Sequence, residues 1–286
     1  MQATTSATQT ELPFEQLDPA MGIGWPAPQG WQPIAAQPLL ILVGLLGVGK
    51  TTAVATLAQA GLVFRALPER RTLARMVITQ MQVADGEPVR PVDRIERLNY
   101  TRRYRERFPG GIAHLLAQAH VAPAPAEQLL LFDGLRGEEE VRYAVEALPR
   151  AQFVALDAPD VLRLARMLTR NDPFDWVKRA ATDGQASVAP ETLDSFAALG
   201  VAEASGLFSH TEEHALLALV HSGAVAAADL RDKLTIVVEE RRNYDPAKAI
   251  AALTTLAPER TFVIETSSYT PLQIARAIIA GVKKAD

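Results

Sequence analysis

The chain has 286 residues, 48% of them hydrophobic and 22% charged, with a net charge of −4. That length and apolar content suffice for a sizeable core, and the acidic balance argues against a protein that coats nucleic acid by overall charge. With no cysteine, disulfides, thiolate metal sites, iron–sulfur clusters and cysteine nucleophiles are excluded.

Residues 1–37 are rich in Gln, Thr, Pro and Ala without helical or strand period, and are expected to form a flexible arm. Trp25 and Trp31 stand out in it. Docking on the chain's own body is their expected role, and the arm also offers a place for a protein partner. No basic residue precedes Lys50, so nothing resembles the charged region of a signal peptide or the arginines of a transit peptide. The longest apolar run, residues 39–48, is too short to span a bilayer. A cytoplasmic protein with no membrane role is expected.

Residues 38–43 are an apolar run of strand length, and Gly44-Leu45-Leu46-Gly47-Val48-Gly49-Lys50-Thr51 then fits the pattern G-x-x-x-x-G-K-[ST] at every fixed position. Residues 51–60 follow as a helix with Ala53, Val54, Leu57 and Ala58 on one face, stopped by Gly61. Chance alone yields such a match in about 1 chain in 100 at average residue usage. Strand, glycine loop and helix in this order are the context the motif requires. The chemistry follows: glycines let backbone N–H groups turn toward phosphates, the helix N-terminus adds positive potential, Lys50 reaches the β and γ phosphates, and the Thr51 hydroxyl ligates Mg²⁺. Gly44, Gly47, Val48, Gly49, Lys50, Thr51 and Thr52 are the expected phosphate-binding residues of this Walker A loop.

Residues 62–67 read as a second strand, ended by Pro68. The chain then turns basic, and residues 90–107 hold seven arginines against Asp93, Glu96 and Glu106. Ile95, Leu98, Tyr104 and Phe108 give this stretch a broken apolar stripe, so a packed helix with projecting guanidinium groups is expected. A salt-bridged solvated face explains the same letters as well as an anion site does, since guanidinium forks grip phosphate bidentately. Within it, Asp93, Arg94 and Arg97 are the candidate acceptor-binding residues, a carboxylate for the reacting hydroxyl and arginines for its phosphate. Pro109-Gly110-Gly111 breaks the helix, residues 112–119 form another, and residues 123–125 a linker.

Leu129-Leu130-Leu131-Phe132-Asp133-Gly134-Leu135-Arg136 is an apolar strand ending in an aspartate, as delivery of a carboxylate beside Mg²⁺ requires. Asp133 is therefore the second candidate metal ligand. Glu138, Glu139 and Glu140 suit the start of the next helix. After a strand over residues 152–157, Arg163, Arg166 and Arg170 share one helix face; in a phosphoryl-transfer enzyme one of them is expected to close over the triphosphate, and a solvent-exposed basic face explains the same spacing as well. Residues 180–233 read as a helical insertion, in which His210, His214 and His221 lack the spacing of a zinc protease motif. A strand over 234–239, a helix over 246–256 and a last strand over 261–265 lead to a loop before a final helix, with Thr270 as N-cap and Pro271 at its first position.

Taken together, these motifs resemble the small P-loop kinases of the adenylate kinase and dephospho-coenzyme A kinase type. Asp133-Gly134-Leu135-Arg136 is similar to the Asp-Gly-x-(Pro)-Arg element of nucleoside monophosphate kinases, without its proline. The helix ending Arg170-Asn171-Asp172 is similar to their lid segment, and Glu265-Thr266-Ser267 with Pro271 to their adenine-side loop. The resemblance spans residues 38–175 and 261–280 and does not extend to 69–128 or 180–233. It implies that Lys50, Asp133, Arg136 and Arg170 act in catalysis and that Arg166 binds the nucleotide.

The expected architecture is a three-layer α/β P-loop NTPase fold with a mainly parallel sheet and helical insertions. The arm would cover residues 1–37 and the kinase-like domain residues 38–286, with 69–128 as an acceptor-binding insertion and 180–233 as a second. The expected activity is transfer of the γ-phosphate of ATP, with Mg²⁺, to a small phosphorylated or nucleotide-like acceptor. Two alternatives remain at this stage: a regulatory ATPase acting through a protein partner, and a kinase of nucleic-acid ends, which the acidic balance disfavours.

Overall fold

The computed structural model describes residues 12–124, 128–170 and 193–282. The order is β1 (Glu15–Asp18), β2 (Met21–Ile23), β3 (Gln32–Pro33), β4 (Leu39–Val43), α1 (Lys50–Gln59), β5 (Arg65–Ala66), α2 (Arg70–Ala84), α3 (Arg94–Arg107) and α4 (Gly111–Ala117). Then come β6 (Ala119–Val121), β7 (Leu130–Leu135), α5 (Glu138–Ala147), β8 (Ala151–Asp157) and α6 (Asp160–Leu168). The chain closes with α7 (His210–His221), α8 (Ala227–Asn243), α9 (Pro246–Leu256), β9 (Thr261–Glu265) and α10 (Pro271–Val282).

The apolar runs form a parallel five-stranded sheet in the order β5-β7-β4-β8-β9. β4 lies at its centre, and all five of its residues are buried, as both-sided coverage demands. Alternation along β4 feeds two cores. Leu39, Ile41 and Val43 face α2, α4, α5 and α9, while Leu40 and Leu42 face Ala53 and Leu57 of α1 and Ile274 and Ile278 of α10. This is the three-layer α/β P-loop fold. A third core joins Leu164 and Met167 of α6 to Phe196, Leu216, Leu230 and Leu234, so residues 193–243 form a helical lobe beside the carboxyl edge of the sheet. The remainder of the expected second insertion, residues 180–192, lies outside the described residues. No described helix is long and apolar enough to cross a membrane.

Three expectations are corrected. The described part of the expected arm is built into the body: β1, β2 and β3 form an antiparallel sheet with β6 in the order β1-β2-β6-β3, burying Met21, Ile23 and Ile34. Strands of two to four residues are too short to show a period. Trp31 meets Phe14 edge to face at 5.6 Å, and Trp25 packs near His120 while remaining 56% exposed. The expected strand over 234–239 is the interior of α8, because an apolar run of that length fits a buried helix as well as a strand. The expected strand over 62–67 contracts to β5.

Candidate functional site

The chain leaves β4 at the carboxyl edge of the sheet, turns through Gly44 to Gly49, and enters α1 at Lys50. The turn requires glycine. At Gly47, φ is +83° and a Cβ would lie 2.6 Å from the Arg163 carbonyl oxygen; at Gly49, the N-cap of α1, φ is +101°.

Three side chains engage the loop's carbonyls. Arg163 Nε donates to Leu46 O at 2.7 Å, Arg166 Nη1 to Gly47 O at 3.1 Å, and Thr266 Oγ1 to Val48 O at 3.0 Å. A trans peptide points its N–H opposite to its C=O, so the same contacts turn the N–H groups of Gly47, Val48 and Gly49 to the other side, a nest for anions at a helix N-terminus. Arg163 is thus corrected: it is fully buried beneath the loop, paired with Asp160 and Glu240, instead of closing over a ligand. Arg166 also bonds Thr266 Oγ1 at 3.0 Å and its carbonyl at 3.2 Å, tying the loop to the segment after β9.

Lys50 Nζ donates to Gly44 O at 2.8 Å and Leu45 O at 3.0 Å. Desolvation lowers its pKa to about 7, against the opposing pull of Asp133. Asp133 reaches the same place from β7. Between Ile41 and Val43 of β4, β7 carries one extra residue, and such a bulge re-aims a side chain. Burial raises the Asp133 pKa, while Lys50 and Arg136 lower it.

Two cavities meet at this point. A cleft of about 790 Å³ runs along the loop past Gly47, Val48, Gly49, Thr52, Arg166 and Thr266, to Tyr269, Pro271 and Ile274. A second cavity, of about 270 Å³, holds Asp133, Glu69 and six arginines, namely Arg70, Arg71, Arg94, Arg97, Arg136 and Arg170. Lys50, Thr51, Leu46, Arg71 and Arg170 line both. A smaller recess continues inward to Leu98, Thr101 and Tyr244.

Of the seven arginines in residues 90–107, only Arg94 and Arg97 line the cavity. Asp93 is engaged in local structure instead, as the N-cap of α3: it accepts from Glu96 N–H at 2.8 Å in a capping box and is buried there. Arg103 pairs with Asp85, and Arg105 donates to the Tyr244 hydroxyl at 2.7 Å. Arg136 donates through Nη1 to Glu240, and its Nε has no hydrogen-bond partner among the described residues. Arg70 forks onto Glu140 at 2.8 and 2.7 Å and donates to the Tyr244 hydroxyl at 2.9 Å.

The sequence alone does not single out Arg70, Arg71, Glu240 or Tyr244. A signal exists for the first two, which follow Pro68-Glu69 directly after the second strand, at the edge where loops converge. Glu240 and Tyr244 are hidden by the strand-like run before them; on a helix their spacing of four places them on one face. Thr270 and Pro271 open α10 as expected, with Gln273 N donating to Thr270 Oγ1. Asn171 and Asp172 lie outside the described residues. His210 opens α7 and His221 Nε2 contacts Leu193 O at 2.8 Å; among the described residues no three histidine or acidic side chains are grouped to hold a metal.

No protein family matches the chain, and no curated protein matches it in sequence. Among solved structures, it is similar to an unliganded sugar kinase from Janibacter sp. HTCC2649, at 15% identity and a TM-score of 0.34 over 86% of this chain and 95% of that one. It is also similar to a sulfotransferase from Alicyclobacillus acidocaldarius, at 15% identity and a TM-score of 0.38 over 87% and 81%. At that level the two do not bear on what this chain does.

Proposed function

We propose that the chain is a P-loop kinase that binds ATP with Mg²⁺ in the 790 Å³ cleft and transfers the γ-phosphate to a small anionic acceptor in the arginine-lined cavity. The observation that carries this reading is the junction: Lys50 and Thr51 line both cavities, so a triphosphate laid on the loop ends where the second cavity begins. The loop fits the donor, since glycine-only conformations, outward carbonyls and a desolvated lysine together make a site for phosphate oxygens. Thr51 and Asp133 would hold Mg²⁺, which would supply positive charge to offset that of the phosphates.

The acceptor follows from charge. Six arginines and Lys50 against two carboxylates suit a phosphate or polycarboxylate, and the unpartnered Nε of Arg136 leaves a guanidinium position for such a group. The acceptor hydroxyl oxygen bonds to the γ-phosphorus as the bond from that phosphorus to the ADP oxygen breaks, ADP leaves with the electron pair, and the hydroxyl proton passes to solvent. Little covalent chemistry is asked of the protein, because the transfer depends on positioning and charge neutralisation. Arg71 and Arg170, at the junction, are placed to meet charge that develops on the transferred group.

Tyr269, 52% exposed at the far end of the cleft, gives the base a stacking surface. Tyr269→Ala is expected to weaken ATP binding roughly tenfold, the order of one base–aromatic contact. Calorimetric titration with ATP and Mg²⁺ checks this, and an unchanged affinity would place the base elsewhere.

The function itself is tested by measuring ADP release against a library of phosphorylated metabolites and nucleotides. Stimulation by a small anionic acceptor, lost in Arg136→Ala, is the expected result. Stimulation by a protein partner alone would instead make the chain a regulatory ATPase, and stimulation by oligonucleotide ends a nucleic-acid kinase.

A further inference from the structure

Glu240, on the last turn of α8, is fully buried, and its two oxygens serve different sites. Oε2 accepts from the Leu46 N–H of the phosphate loop at 3.1 Å and from Arg163 Nη2 at 2.7 Å. Oε1 accepts from Arg136 Nη1 and from Arg94 Nη2 at 3.3 Å, both arginines of the second cavity. Leu46 is thereby held three ways: its N–H by Glu240, its carbonyl by Arg163, and its side chain against the apolar core of the helical lobe. The lobe thus delivers a single anion that sets the phosphate loop with one oxygen and aims the cavity arginines with the other.

A carboxylate is a rigid planar unit. If Arg136 loses or changes its bond to Oε1, a buried charge loses part of its compensation and must turn toward its remaining donors, which include the loop amide. Arg136 does not line the nucleotide cleft, so it reaches a nucleotide there either by its charge, which acts on Lys50 and Asp133, or through Glu240; a variant that keeps the charge isolates the second route.

We propose that Glu240 is a positioning residue that couples the two cavities, so that the state of Arg136 in the acceptor cavity is felt as a change in nucleotide affinity at the loop. The inference rests on reading the 790 Å³ cleft as the nucleotide site. By linkage, an anion held by Arg136 and a nucleotide held by the loop then alter each other's binding by the same factor.

The test is a double-mutant cycle read by calorimetric binding of the non-hydrolysed analogue AMP-PNP with Mg²⁺, with no acceptor present. Arg136→Lys keeps the charge but replaces the planar fork by a point donor. It is expected to weaken AMP-PNP roughly fivefold in the wild-type background and less than about twofold beside Glu240→Gln, a non-additivity typical of residues in one network. Should Glu240→Gln fail to fold, Glu240→Asp carries the cycle, since it keeps the charge but is one methylene too short to serve both sets of donors. Equal effects of Arg136→Lys in both backgrounds would overturn the coupling and leave the nucleotide reading intact. A purely structural Glu240 predicts that additive outcome, with only the melting temperature lowered. Failure of the wild-type protein to bind AMP-PNP would overturn both.

Discussion

Lys50→Met is expected to remove ATP-dependent turnover, by a factor of at least about 10² to 10³ if the lysine acts as one preorganised charge-stabilising group, while the folded protein becomes more stable. The two halves share one cause. Lys50 Nζ donates to the Gly44 and Leu45 carbonyls, its hydrogen-bond partners among the described residues, and desolvation lowers its pKa to about 7. A charge held at a cost in the ligand-free protein is one that a phosphate would relieve, and on the proposed function that is how the loop would favour an anionic ligand. The sign in pH follows. Between pH 7 and 10.5 the unfolded chain holds the lysine proton and the folded chain does not, so this residue makes stability rise with pH across that window. Methionine abolishes the dependence. Thermal melts of the nucleotide-free proteins should therefore show the variant ahead of wild type by most below pH 7, with the gap closing toward pH 10.5. Retained ATP-dependent turnover by the variant would remove the loop from the donor site.

That pairing of function with local destabilisation explains which parts of this site the sequence could announce. The loop is legible because its glycines act through backbone conformation, and the lysine and threonine stand at a fixed spacing from them that the sequence displays directly. Asp133 is legible for a similar reason: an all-apolar strand ending in a carboxylate has few other places to go than the edge of a covered sheet. Spacing puts Arg163 and Arg166 on one helix face, but does not tell that Arg163 lies buried beside the loop while Arg166 lines the cleft. It says which residues share a face and is silent on what that face meets; here it meets the loop's carbonyls from below. The arginine-rich stretch is plain in the sequence, yet the cavity takes only Arg94 and Arg97 from it and draws Arg70, Arg71 and Arg136 from two other segments. Asp93 invites a chemical role where local hydrogen bonding has already claimed it as a cap. Glu240 is least accessible of all: its role depends on contacts across 77 to 194 residues of chain, and the β-branched run Ile236-Val237-Val238 disguises its helix. β2 and β3 are invisible because the strand that pairs with both, β6, lies about a hundred residues away in the chain, and β1 is added to the sheet only through β2.

Arg70→Met is expected to cost about 3–5 kcal/mol of stability, because it leaves Glu140 buried without its ion partner. At about 2–4 °C per kcal/mol for a chain of this size, the melting temperature should fall by roughly 6–20 °C. Arg70 and Glu140 do more than neutralise each other. Arg70 Nη1 also donates to Gly134 O at 2.5 Å, and Glu140 accepts the Arg136 N–H at 2.9 Å. The pair therefore grips both sides of the Asp133-Gly134-Leu135-Arg136 turn that carries the candidate metal ligand and the candidate acceptor arginine. Gly134 is pressed so closely that a Cβ there would lie 2.4 Å from the Phe132 ring and 3.0 Å from Arg70. Replacing both partners by apolar residues, Arg70→Met with Glu140→Leu, is expected to recover much of the lost stability, since no isolated charge remains buried. Activity should not return with it. Without the two hydrogen bonds the turn no longer holds Asp133 and Arg136 in register with Lys50, and a displacement of about 1 Å at a transfer site costs on the order of 100-fold in rate. Melting curves and acceptor-stimulated ADP release on the same three proteins separate the effects. If the double variant regained activity along with stability, the pair would be core packing, and the turn would owe its shape to the sheet alone.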